Sequence, residues 1–274
     1  MQVKTKNLVT PSYFGKTRQE LFGCYHEPQG NTVRSCGFVL CCPMGRDYIF
    51  SHRTFRQLAI RLSLAGFPVL RFDYYGCGDS AGEGEDGTVE RWLTDIDTAI
   101  EELQARSGIT KVSLAGFRLG ATLATLTGTH HNNIESLILW DPVIDGAEYV
   151  EDLIKSHTRW LRLQVLRSNA PSKTGRTHEI LGFPLTSALE ENIKKIDLSS
   201  ITAPPAPRIL FMTSTEKSDP DTFIKHLENL DSAVDHQSIP WPDFWIDTEQ
   251  LQDVLMPPVR ILQALVAWAT EVLS

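Results

Sequence analysis

The sequence predicts a doubly wound α/β fold, a mostly parallel sheet with helices on both faces, and three observations carry that expectation. Short β-rich runs alternate with helical patterns from residue 35 onward. Those runs are apolar almost throughout, as strands covered on both faces must be. One connection, residues 142–206, is too long for a simple loop. A chain of 274 residues, 42% hydrophobic and 22% charged, is large enough to bury such a core.

Taken in order, "LVTPSYFG" and "ELFGCYHEP" read as a leading antiparallel hairpin. "SCGFVLCC" (35–42), "FPVLRFD" (67–73), "TKVSLAG" (110–116) and "ESLILW" (135–140) read as the next strands, with helices expected over 51–65, 88–106 and 119–130 between them. "RILFMTS" (208–214), a helix over 220–230, "VDHQSIP" (234–240) and the amphipathic "VRILQALVAWATEVL" (259–273) complete the sheet and close it with a helix. The long connection holds two helical stretches, 147–167 and 186–196, around the polar "SNAPSKTGRT". The expected organisation is a core of residues 1–141 and 207–274 with a helical cap, 142–206, inserted after the sixth strand.

Charge and composition exclude several function classes. A formal charge of −8, with no stretch that interleaves basic and aromatic residues, argues against nucleic acid as a partner. The most apolar runs are far shorter than the roughly 20 residues a membrane span requires, so no membrane partner and a cytoplasmic location are expected. Five cysteines (24, 36, 41, 42 and 77), an odd number without CxxC spacing, suggest reduced thiols rather than a disulfide framework or a metal site. No motif calls for a cofactor, and a homodimer is left open.

The chemistry-bearing stretch is "LAGFRLGATLA" (114–124). Its Gly116, Arg118 and Gly120 have the Gly-x-Nu-x-Gly skeleton of a nucleophile elbow, in which the central residue is strained and its flanks must be small. Ala115 and Ala121 meet the same need. With "LCCPMG" after the first parallel strand and "DYYGCGDSAG" after the next, this makes the chain resemble the α/β-hydrolases over nearly its whole length. Within them it is similar to a bacterial serine-aminopeptidase-like group, including hydrolase-like proteins found beside exosortase and natural-product genes. Ser51-His52-Arg53, Arg71 to Gly76, Gly116 to Ala121 and Leu139 to Val143 carry that likeness.

The resemblance implies a serine where Arg118 stands, and a guanidinium has no nucleophilic lone pair. It also implies a histidine after the last strand, where "SIPWPDFWIDTEQ" has none and offers Trp245 as a ligand contact. The acid positions it implies are Asp219, after the seventh strand, and Asp141, ending the sixth; either is expected to partner Arg118, unless a bound anion does. Backbone N–H groups of Met44 or Gly45 and of Leu119 are the implied oxyanion donors, which side-chain changes do not remove. His52 is the leading base candidate, on the expectation that Ser51 caps a helix starting there. A surface or packing histidine is the plainer alternative. Cys77 lies where its loop can reach the rim.

These residues lead to three functional readings. One is a protein that binds an anionic or acyl-bearing small molecule, or a peptidyl intermediate of a biosynthetic pathway, through Arg118 and acts by polarising a carbonyl, as a lyase, epimerase or cyclase would. The second is an inert pseudohydrolase serving as a binding or accessory protein. The third is a hydrolase or thioesterase that activates water directly.

Overall fold

Burial on both faces is what makes the central strands apolar: every residue of β3 (Cys36–Cys41) is buried, as are all but the first of β5 (Lys111–Phe117). The computed structural model describes residues 8–29, 33–168, 179–215, 220–240 and 257–273, the side chains of 163–168 excepted. With β1 (Val9–Phe14), β2 (Leu21–His26), β4 (Val69–Phe72), β6 (Ile134–Trp140), β9 (Arg208–Thr213) and β10 (Ala233–Ser238), they form one eight-stranded sheet in the order β1-β2-β4-β3-β5-β6-β9-β10. The pairs β1–β2 and β2–β4 are antiparallel, and the remaining pairs are parallel.

Helices cover both faces. On one, α1 (Gly45–Leu64) and α7 (Val259–Val272) bury Phe55, Leu58, Leu62, Ile261 and Leu265 against the sheet. On the other, α2 (Val89–Ser107), α3 (Leu119–Gly128) and α6 (Asp221–Asn229) contribute Ile96, Leu103, Leu123, Phe223 and Leu227. Local signals set the ends of α2: Thr88 Oγ1 accepts the Arg91 N–H at 3.1 Å, and Gly108 closes the helix with a left-handed φ of 73°.

Between β6 and β9 the chain forms α4 (Gly146–Ser168), the two-residue strands β7 (Glu179–Ile180) and β8 (Phe183–Pro184), and α5 (Ser187–Lys194). A narrow neck joins this insertion to the sheet. The Gly146 N–H donates to Ile196 O and the Leu198 N–H to Ile144 O, both at 2.9 Å, with Asp145 facing Asp197 in an antiparallel bridge. Gly146 is required there, since a Cβ would lie 1.8 Å from the Ile193 carbonyl oxygen.

Two expectations change. The helix expected at 51 begins at Gly45, so Ser51 caps nothing; its hydroxyl sits in mid-helix and donates to Tyr48 O at 3.4 Å. The insertion, expected to be helical, also carries the β7–β8 hairpin. Among the described residues no helix is long and apolar enough to cross a membrane.

Candidate functional site

The turn from β5 into α3 is as tight as its small residues require. A Cβ on Gly116 would lie 2.4 Å from the Ala121 nitrogen, and one on Gly120 would lie 2.2 Å from the Cys41 carbonyl oxygen. Arg118 is the residue between them, at φ 51° and ψ −126°, a conformation costing roughly 1–3 kcal/mol for a residue with a side chain. Its backbone N–H is held by Trp140 O at 3.0 Å. Beside it, the turn after β3 swings through Gly45 at φ 60° into α1, and Leu119 opens α3. Amide groups in the first turn of a helix have no acceptor within it, so the N–H groups of Gly45 and Leu119 start their helices without intrahelical partners.

Among the described residues Arg118 forms an ion pair with Asp47, an acid in the first turn of α1 that sequence reasoning did not nominate. Arg118 Nε lies 3.9 Å from Asp47 Oδ2, and the side chains are 26% and 2% exposed. The guanidinium carbon also lies 5.5 Å from the ring centroid of Tyr149, a buried residue of α4 whose hydroxyl is hydrogen-bonded to Asp47. Burial first, and then the Asp47 charge, push the Tyr149 phenol well above its ordinary range, while Arg118 opposes the shift. Tyr149 therefore stays protonated and donates to the carboxylate. The three residues join the elbow, the turn after β3 and the insertion.

The expected partner Asp141 is engaged elsewhere. It ends β6 at φ 43° and accepts hydrogen bonds from the Ser214 N–H at 2.8 Å and from the Ser214 hydroxyl. Burial pushes its carboxyl up, and those bonds and the Arg118 charge oppose the shift. Asp219 and Trp245 lie outside the described residues.

His52 lies at the surface of α1, its ring edge-on to Tyr48 with centroids 5.9 Å apart, and partial burial of the ring, then the Arg71 charge, push its imidazole down. Cys77 is half-buried after β4; burial and the nearby Asp73 and Asp95 carboxylates push its thiol up to about 12, which leaves it protonated at neutral pH.

A small, shallow cleft opens beside this arrangement. Met44, Gly45, Arg46 and Asp47 form its floor, and Tyr149, Leu153, Ile180, Leu181, Phe183, Pro184 and Leu185 of the insertion form its roof. The roof is apolar apart from one phenol, and charge is confined to the floor, so the cleft suits an apolar group carrying a polar end. Met44 and Gly45 thus meet the cleft directly, while Arg118, Leu119, His52 and Cys77 are not among its lining residues; Arg118 reaches it through Asp47 and Tyr149, which are.

Comparison with known proteins agrees with this architecture. The family described as Hydrolase_4, serine aminopeptidase S33, matches residues 48–201. Est1E from Butyrivibrio proteoclasticus, solved with ferulic acid bound, superposes with a TM-score of 0.63 at 17% identity, covering 95% of this chain and 98% of that one. The Pyrococcus furiosus esterase Pf2001 gives 0.64 at 14% identity, covering 97% and 91%. A 75-residue segment is 47% identical to Protein ABHD12B of Homo sapiens; it is 27% of this chain and spans only 19% of that protein.

Proposed function

Because the chain belongs to the Hydrolase_4 (serine aminopeptidase S33) family, we propose that it keeps the family's cleft and has given up the covalent acyl-enzyme. It binds an acyl-bearing small molecule, or a peptidyl or acyl intermediate of a biosynthetic pathway, between the turn at Met44–Asp47 and a cap formed by the insertion. The observation that carries this reading is Arg118 at the strained elbow position, paired with Asp47 and covered by Tyr149. A guanidinium there supplies charge and bulk but no attacking lone pair. The apolar roof takes the acyl portion, and the amide group at Gly45, which lines the cleft, is offered to a carbonyl oxygen.

Catalysis without a nucleophile, by polarising that carbonyl, is compatible with that amide, but the internal engagement of Arg118 favours binding over turnover. The test is direct. Purified protein should show no stoichiometric labelling by a fluorophosphonate probe and negligible turnover of activated acyl esters, while acyl compounds raise its melting temperature. Labelling at any serine, or ester turnover abolished by that probe, sinks the proposal.

A further inference from the structure

A second group of charged side chains lies along α1, away from the cleft, and the proposed function does not use it. Helix α1 is pinned over the β4–β2 pair of the sheet at two points. The Tyr48 hydroxyl donates to Asp73 Oδ1 at 2.8 Å near its start, and the Ser63 hydroxyl donates to Glu27 O near its end. His52 and Arg56, one and two turns beyond Tyr48 at i+4 spacing, occupy the strip of helix between those pins. Beneath them, Cys24 pairs with Arg71 and His26 with Val69 across β2 and β4. Residues paired in this way share a face, and Val69 belongs to the core packed under α1, so Arg71 and His26 both turn toward α1. They are diagonal neighbours, about 7–8 Å apart at Cα.

Two buried nitrogens in this groove have no hydrogen-bond partner. Among the described residues neither Arg56 nor Arg71 forms an ion pair, and Arg71 Nε is sealed from solvent with no hydrogen-bond partner. His26 is 2% exposed, and its Nε2 likewise has no partner. Burial, and then the Arg71 and Arg56 charges, hold its imidazole down to about 4, so both guanidinium groups bear on one buried ring. The acids facing the groove are Asp73 and Asp79; Asp73 is already bonded to the Tyr48 hydroxyl and to the Asp79 N–H. An unfilled buried polar group costs stability, and guanidinium and imidazole N–H groups set on one face suit a tetrahedral oxyanion.

We propose that Arg56, Arg71, His52 and His26 form a binding site for a phosphoryl group in the groove between α1 and the β2–β4 pair. The site is distinct from the cleft and stands whether or not the ligand proposed there is correct. Its position two turns along the same helix places an anion where it stiffens the start of α1, which carries Asp47.

The test uses inorganic phosphate, titrated into the full chain at constant ionic strength while the His26 ring resonances are followed by NMR. Saturable binding is expected, with the His26 imidazole pKa rising from about 4 as the anion offsets the two guanidinium charges. R56Q, a change on the exposed helix surface, should weaken binding about tenfold or more, as loss of a charge-assisted contact does. R71K keeps the charge but not the fork, and should also weaken it. R118Q should leave it unchanged. Absence of a saturable response, or a response retained in the R56Q/R71Q double variant, overturns the site; loss of binding in R118Q would place the anion at the elbow and overturn it equally. Methyl phosphate and vesicles containing phosphatidylinositol 4-phosphate separate the sources: equal affinity supports a soluble ligand at this site, and a vesicle preference supports a lipid headgroup there.

Discussion

Arg118 and Arg71 are the same residue at the ends of neighbouring structural units, and their surroundings are opposite. Arg118 stands where the fold offers its most constrained backbone, and the molecule answers its charge from within, with Asp47 and the Tyr149 ring. Arg71 comes from an ordinary β-strand, and beside it stand Arg56, of the same sign, and two imidazoles, His26 and His52, that those charges help keep neutral. A cation neutralised internally closes a site, because a ligand must compete with a carboxylate already in place. Cations left facing one another open one.

The sharpest break of this comparison is at the turn that holds Arg118. Gly120→Ala drives a methyl group into the Cys41 and Cys42 carbonyl oxygens, at 2.2 and 2.6 Å, and should cost more than about 4 kcal/mol, leaving little folded protein. Urea denaturation and soluble yield would show this; a near-parental midpoint would mean that the close passage of helix and strand does not position Arg118.

The groove is next. His26 has its pKa lowered from 6.5 to about 4. The unfolded chain therefore takes up a proton before the folded one does: the stabilisation is complete above pH 6.5 and is lost as pH falls toward 4. The loss is on the order of 3 kcal/mol at full protonation. Melting curves from pH 7 to 4 should show it, and His26→Gln should flatten it. Phosphate should reduce the same slope if the groove binds it.

Smaller effects separate the two arginines themselves. Arg118→Ala takes the cation from Asp47, which is 2% exposed and keeps its bond from Tyr149, and should cost about 2 kcal/mol, less than a fully buried pair because Arg118 is 26% exposed and the contact is long. Arg71→Gln removes a cation from beside another and should change stability by no more than about 0.5 kcal/mol. Equal losses in the two variants, measured by denaturation, would erase the distinction.

The sheet was legible because burial on both faces writes itself into apolar runs, and the elbow because close backbone passage admits only small flanks. The start of α1 was not. Met44 caps it without any side-chain hydrogen bond, so "GRDYIF" carries no cap signal, while "SHR" six residues later offers a serine that looks like one. That displacement hid Asp47 inside a presumed loop and moved attention to His52. The β7–β8 hairpin escaped because strands of two residues have no periodicity to read. Tyr149 could be placed on a helix but not beside Arg118, since contacts across an insertion are not local.

The neck at Ile144–Gly146 and Ile196–Leu198 has a consequence for how such a chain can change over generations. Its two hydrogen bonds and the Asp145–Asp197 bridge bring the stems together at the sheet, so the core experiences the insertion as a loop whose ends already meet. Lengthening or replacing what lies beyond alters the closure entropy only logarithmically, about 0.6 kcal/mol for each doubling. The turn of the roof at Leu181–Gly182 is thus exchangeable at low thermodynamic cost, while Tyr149, Val150, Leu189 and Ile193, which pack into the core, and the floor on α1 are not. Ligand preference can drift in one part of the molecule without the scaffold having to follow.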